Sequence, residues 1–236
     1  MQTQNTLTVL HVDDGTSMNV YTAVPAGGGV FPGIILLQEA FGLTGHIKGI
    51  ANKLAAAGYV VVAPELFHRT AEAGATFNYD DWATITPHFQ GIAVPGLQAD
   101  LRAAYQWLLQ QPSVLQSKVG SIGFCLGGRV SFIANCTLPL RAAVSFYGGG
   151  IHNFTSLAQH AHGPQLFFWG GVDKSIPTEQ IDAVTNAMQQ HNKPFTSVVF
   201  STAGHAFNND ERASYNADAS SEAWALTMAF FHNKLQ

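Results

Sequence analysis

The sequence predicts an α/β protein built on a mostly parallel sheet with helices on both faces. Three observations carry this. Segments with strand and helix patterning alternate along all 236 residues. Several strand segments, such as Gly33 to Leu37, are continuously apolar, as strands covered on both faces must be. A glycine-flanked turn at Gly123 to Gly128 joins a strand pattern directly to a helix pattern.

Taken in order, Leu7 to Val12 and Asn19 to Val24 read as a hairpin across the turn residues Asp13, Asp14 and Gly15. Pro25 to Gly29 is a loop before the apolar strand Gly33 to Leu37. Ile47, Ile50, Leu54 and Ala57 recur at helical spacing within His46 to Ala57, and Gly58 supplies the stop. Tyr59 to Ala63 is the next strand. Arg69 to Gly96 is aromatic and contains prolines, and it reads as an irregular cap. A helix follows over Leu97 to Gln111, then a strand over Lys118 to Ile122 and a helix over Arg129 to Asn135. Ala142 to Phe146, Leu166 to Trp169 and Thr196 to Phe200 are further strands. Thr178 to Gln190 and Ser220 to Asn233 are amphipathic helices. No repeat or linker interrupts the pattern, so 1–236 reads as one domain whose crossovers place helices against a parallel sheet.

Bulk properties exclude several classes of partner. A net charge of −4 with only 11% charged residues gives no basis for binding nucleic acid. No apolar run is long enough to span a membrane. The start of the chain lacks the basic and apolar segments of a secretory signal. Two cysteines, Cys125 and Cys136, make no disulfide framework and suit reduced thiols in a cytoplasmic setting. Apart from His160 and His162, the histidines show no ligand spacing, so neither metal nor cofactor is expected.

In a parallel sheet, functional groups collect beyond the carboxyl ends of strands. Cys125, in Gly123-Phe124-Cys125-Leu126-Gly127-Gly128, stands where a nucleophile elbow exposes its residue. The glycines leave room for the strand and helix beside it. Alone, the pattern fits a small packing residue at a helix start equally well. Asp173 follows the strand ending at Trp169, and His205 follows the strand ending at Phe200. Singly, Asp173 could cap the helix before Pro177, and His205 could be an ordinary loop residue. Together they give nucleophile, acid and histidine in one order after three strands. The chemistry needs those types. A thiol requires a base or cation to react as thiolate. Histidine can take and return that proton, and a carboxylate fixes the imidazole tautomer.

With these residues in place, the chain resembles the dienelactone hydrolase family of α/β-hydrolases. The matching segments are Leu37-Gln38-Glu39-Ala40-Phe41-Gly42, Gly58 to Leu66, the Cys125 elbow, Gly171-Val172-Asp173 and Ala203 to Phe207. The resemblance implies a cofactor-free hydrolase of small esters or lactones, with Cys125 as nucleophile, His205 as base and Asp173 as its orienter. It implies that Glu39 takes the thiol proton once substrate binds, which would leave the resting thiol slow to alkylate. It also implies an oxyanion hole from the Leu126 and Ala40 N–H groups. Of the family's two substrate-binding arginines, one maps onto Arg69. The other falls at Asn209, with Arg212 three residues beyond, so binding of an anionic lactone is expected to be weak. Tyr79, Trp82, His88, Phe89, Tyr147 and Phe207 are candidates for an apolar pocket. A broader carboxylesterase or thioesterase, or a non-catalytic ligand-binding protein on the same fold, are the alternatives.

Overall fold

The structure, a computed structural model, describes residues 2–236, which divide into two compact units, one up to Val119 and the other Gly120–Gln236. In the first unit, β1 (Thr3–His11) and β2 (Ser17–Pro25) form the expected hairpin, each longer than the sequence pattern marks. Gly15 takes φ +86 in the connecting turn, a conformation that a side chain would strain. The Asp14 carboxylate accepts hydrogen bonds from the Thr16 N–H and hydroxyl, which lock that turn. β2 pairs antiparallel with β4 (Val60–Pro64), and β4 pairs parallel with β3 (Phe31–Leu37). The unit's strand order is therefore β1-β2-β4-β3. Ile34 to Leu37 and Val60 to Ala63 are wholly buried, which accounts for their unbroken apolar runs. Each valine, isoleucine and leucine among them contributes about 1.5–3 kcal/mol by leaving water.

Helix α1 (Gly45–Ala56) packs on β2 and β4. Its N-cap Thr44 accepts from the Ile47 N–H, and Gly58, at φ +94, closes it. The segment read as irregular contains a helix, α2 (Trp82–Gln90), and α3 (Val94–Gln110) starts earlier than its apolar period suggests. Pro87 inside α2, and a face with one buried residue (Ile85), hid the helical period. Asp81 caps α2 through the Thr84 N–H and hydroxyl. Aromatic contacts hold the segment down, with Tyr79 and Trp82 edge-on to Phe41, and Phe77 against Phe67 and His88.

The second unit begins within β5 (Val114–Phe124), whose early residues are mostly exposed and carry no apolar signal. It continues through α4 (Leu126–Thr137), β6 (Ala142–Phe146), a 3-10 helix (Ile151–His160), β7 (Gln165–Gly170), α5 (Thr178–Gln190), β8 (Phe195–Phe200) and α6 (Ala217–Leu235). β5, β6, β7 and β8 pair in that order, all parallel. The 3-10 helix is absent from the sequence reading, because it is short and kinked at Phe154. Parallel order sends every strand's carboxyl end the same way, so the residues following β5, β7 and β8 meet at one edge. Among the described residues no helix is long and apolar enough to cross a membrane.

A buried ion network ties the first unit together. Asp100 on α3, wholly buried, accepts from Arg69 Nη1 at 2.8 Å and Nη2 at 2.7 Å and faces His68 Nε2 at 3.0 Å. Arg69 also donates from Nε and Nη2 to Asp14 in the hairpin turn, at 2.9 and 2.6 Å. Removing the carboxylate charge leaves a guanidinium facing a neutral amide in a largely dry site. Asp100→Asn is expected to cost about 3 kcal/mol, lowering Tm by about 6–12 °C. A fall below about 2 °C in differential scanning calorimetry would show that the network contributes little.

Candidate active site

The nucleophile position is made by backbone geometry. Cys125, between β5 and α4, sits at φ +53 and ψ −115, where a residue with a side chain is strained by about 1–3 kcal/mol. Two glycines make the turn possible. A Cβ on Gly123 would lie 1.9 Å from the Gly127 carbonyl oxygen, and one on Gly128 would lie 2.6 Å from that of Phe146. The Cys125 N–H donates to the Phe146 carbonyl at 3.0 Å, and the Cys125 carbonyl accepts from Gly128 and Arg129. The side chain is thereby aimed outward and remains half-buried.

The loops after β7 and β8 bring the partners. Asp173 is buried; its Oδ1 accepts from the Ser175 N–H at 2.8 Å, and its Oδ2 accepts from His205 Nδ1 at 2.7 Å. Asp173 does not cap α5, whose N-cap is Pro177. The other ring nitrogen of His205, Nε2, lies 3.1 Å from Cys125 Sγ. Gly170 and Gly171 bring the two loops this close. A Cβ on Gly170 would meet the Ala203 and Gly204 carbonyls at 2.6 and 2.7 Å, and one on Gly171 would meet Ser201 Cα at 2.6 Å. Ala206, at φ +60, and Tyr147, at φ +39, are two more strained positions next to the site. The Tyr147 ring lies 5.3 Å from that of His205 and 5.2 Å from that of Phe207.

Electrostatics favour a charged histidine. Burial works against the imidazolium. Attraction to Cys125, the hydrogen bonds with Asp173 and Cys125, and the Asp173 charge outweigh it and raise His205 to about 10. His205 thus contacts the sulfur directly in the resting structure. Cys136, inside α4, is the contrast: burial pushes its thiol up to about 12, with Lys193 pulling weakly the other way.

Of the remaining site candidates, Leu126 opens α4 directly after Cys125, where helix N–H groups lack intrahelical acceptors. Glu39 and Ala40 follow β3 in the first unit, both fully buried. Gln38 braces that turn, accepting from the Leu66 N–H and donating to the Glu39 carbonyl. Three of the expected substrate-binding side chains are engaged within the protein. Arg69 spends its donors on Asp14 and Asp100, which leaves no free fork for a substrate carboxylate. Phe207 is fully buried against Phe146, Tyr147 and Phe200, and it supports the His205 loop from below. Asn209 is also buried, with Oδ1 accepting from the Glu211 N–H and so fixing its own turn. Among the described residues no three His, Cys, Asp or Glu side chains converge as ligands for a metal ion.

A residue on a strained strand-to-helix turn, followed in the chain by an acid and a histidine beyond parallel strands, defines an α/β-hydrolase. The comparisons agree. The model of the dienelactone hydrolase family matches residues 18–235. A Methylorubrum extorquens protein named "Putative carboxymethylenebutenolidase" is 31% identical over 220 residues, covering 89% of this chain and 75% of that one. An Escherichia coli protein of the same name is 33% identical over 231 residues, with 92% and 83% covered. The crystal structure of a "Putative Dienelactone Hydrolase" from Klebsiella pneumoniae superposes with a TM-score of 0.89 at 28% identity, covering 98% of this chain and 99% of that one. The chain belongs to the dienelactone hydrolase family, and it is a hydrolase.

The contrast between the two thiols is directly measurable. With iodoacetamide at pH 7.5, the folded protein is expected to take up one label, on Cys125, and to expose Cys136 only in denaturant. Prompt labelling of Cys136 in the folded state would contradict the raised pKa that holds that thiol protonated.

Proposed function

We propose that the protein hydrolyses small, neutral carboxylic esters or lactones through an acyl-enzyme on Cys125. The observation that carries this reading is the chain of contacts from Cys125 Sγ to His205 Nε2 at 3.1 Å, and from His205 Nδ1 to Asp173 Oδ2 at 2.7 Å. Sγ attacks the substrate carbonyl, and the carbonyl electron pair moves onto oxygen. The N–H groups of Leu126 and Ala40 are the proposed donors to that oxyanion, each worth about 3–4 kcal/mol of barrier. Collapse breaks the carbonyl–oxygen bond, and His205 gives its proton to the departing alkoxide. In a lactone that oxygen stays tethered as a hydroxyl on the acyl group.

Acylation also changes the base. While Sγ is negative, it favours the imidazolium; once it carries an acyl group, that attraction is gone, whereas burial still opposes the charge. His205 then becomes able to take a proton from water, which attacks the thioester and returns the electron pair to sulfur. Glu39 is proposed as an additional acid–base group of the same site, supported by its place at the carboxyl end of β3 and by the family resemblance.

The preference for neutral substrates follows from Arg69, which is committed to two carboxylates, and from Asn209, which is uncharged and buried. Treating 1–236 as one hydrolase domain is supported by the family model, which spans both units. Two free cysteines and a working thiol suit a reducing, cytoplasmic compartment.

Steady-state assays on aryl esters and lactones test the reading. Cys125→Ala should lower kcat/KM by at least about 10³-fold, while Cys136→Ala stays within about 3-fold of wild type. Turnover surviving in Cys125→Ala would exclude the thiol mechanism. In the same assays, faster turnover of a carboxylate-bearing lactone than of its neutral analogue would overturn the charge preference.

A further inference from the structure

Tyr147 is the first residue beyond β6, at the sheet edge where Cys125, Asp173 and His205 also stand. Its φ of +39 puts a bulky aromatic residue in the left-handed region, where a side chain crowds its own backbone. Such an outlier persists only where its neighbours over-determine it. Here the Tyr147 N–H donates to the Phe168 carbonyl of β7 at 2.8 Å, and the Phe146 carbonyl just before it accepts from the Cys125 N–H at 3.0 Å. Gly148, the next residue, is pressed against the elbow. A Cβ there would lie 2.6 Å from Ser145 Oγ and 2.9 Å from the Gly128 carbonyl carbon. The chain thus leaves β6 with its tyrosine turned onto the site. The Tyr147 ring is fully buried, 5.3 Å from the His205 imidazole with 60° between their planes. On another side it meets Phe207, two residues further along the same loop, at 5.2 Å.

In the resting structure His205 has a partner at each nitrogen, Asp173 at Nδ1 and Cys125 Sγ at Nε2. Acylation turns Sγ into a thioester sulfur, a weak acceptor, so the Nε2 end loses its anchor when it must face water. A single hydrogen bond at Nδ1 leaves the imidazole able to swing about its Cα–Cβ bond, and a ring packed beside it blocks that swing. We propose that Tyr147 is a positioning residue that keeps His205 aimed during deacylation, an inference that rests on the reading of Cys125 as nucleophile and His205 as its base. In that step water attacks the acyl carbon and gives its proton to Nε2. The carbon–sulfur bond then breaks, and its electron pair returns to sulfur. The strained, doubly anchored backbone is what keeps the tyrosine ring from yielding.

The test is hydrolysis of p-nitrophenyl acetate, whose phenolate departs without a proton, by wild type, Tyr147→Leu and Tyr147→Phe. Acylation, read as kcat/KM, then makes little demand on the aim of the imidazole. Deacylation, read as decay of the acyl-enzyme by rapid-quench intact mass, depends on it. In Tyr147→Leu, kcat/KM is expected to stay within about threefold of wild type while the decay slows at least about tenfold. Tyr147→Phe keeps the ring and should bring the decay back to within about threefold. Unchanged decay in Tyr147→Leu, an equal fall in decay and kcat/KM, or a loss that Tyr147→Phe does not recover would overturn the proposal. If Tyr147→Leu does not fold, Tyr147→Met gives the same reading. Failure of both to fold would assign the ring to the fold and likewise overturn it. Turnover surviving in Cys125→Ala defeats the parent reading, whereas unchanged decay in Tyr147→Leu defeats this one alone.

Discussion

Everything at this site depends on holding one cysteine in a backbone conformation that cysteine does not choose. At φ +53 and ψ −115, Cys125 stores strain that the flanking structure must over-determine. β5 fixes one side and α4 the other, and the bare Cα atoms of Gly123 and Gly128 let strand, helix and the β6 carbonyl close around the turn. The result is a side chain that projects beyond the sheet edge instead of packing into it. Alanine at either glycine would collide with backbone atoms, which cannot swing aside as a side chain can.

The second requirement is that two loops from distant parts of the sequence converge on that side chain. Parallel pairing of β7 with β8 brings their ends together, and Gly170-Gly171 allows contact close enough for a 2.7 Å hydrogen bond between Asp173 and His205. His205 then sits between opposing influences. Dehydration disfavours its charge, and the neighbouring sulfur and carboxylate favour it. In the proposed mechanism acylation removes the sulfur's charge, so that the same imidazole acts as acid in the first half-reaction and as base in the second.

The sequence made the architecture legible and singled out Cys125, Asp173 and His205, which the structure brings together, because these rest on local signals: unbroken apolar runs, helix stops, and the positions just after strands. It did not show α2, where Pro87 and a single buried residue erase the helical period, or the kinked 3-10 helix over Ile151–His160. It also did not show which side chains are engaged elsewhere in the fold. Arg69 is claimed by Asp14 and Asp100, 55 and 31 positions distant. Phe207 disappears beneath Tyr147 and Phe200, and Asn209 turns to its own backbone neighbourhood. Composition and spacing carry no trace of such pairings.

The central claim is a covalent intermediate on Cys125 that His205 later helps to release. Rapid-quench intact-mass measurement during hydrolysis of an activated ester tests it most directly, comparing wild type with His205→Asn. The account predicts an added acyl mass that maps to the Cys125 peptide, formed slowly but persisting in His205→Asn and turning over in wild type. Absence of any acyl adduct on Cys125 in both proteins while ester is being consumed, or an adduct that maps elsewhere, would contradict it.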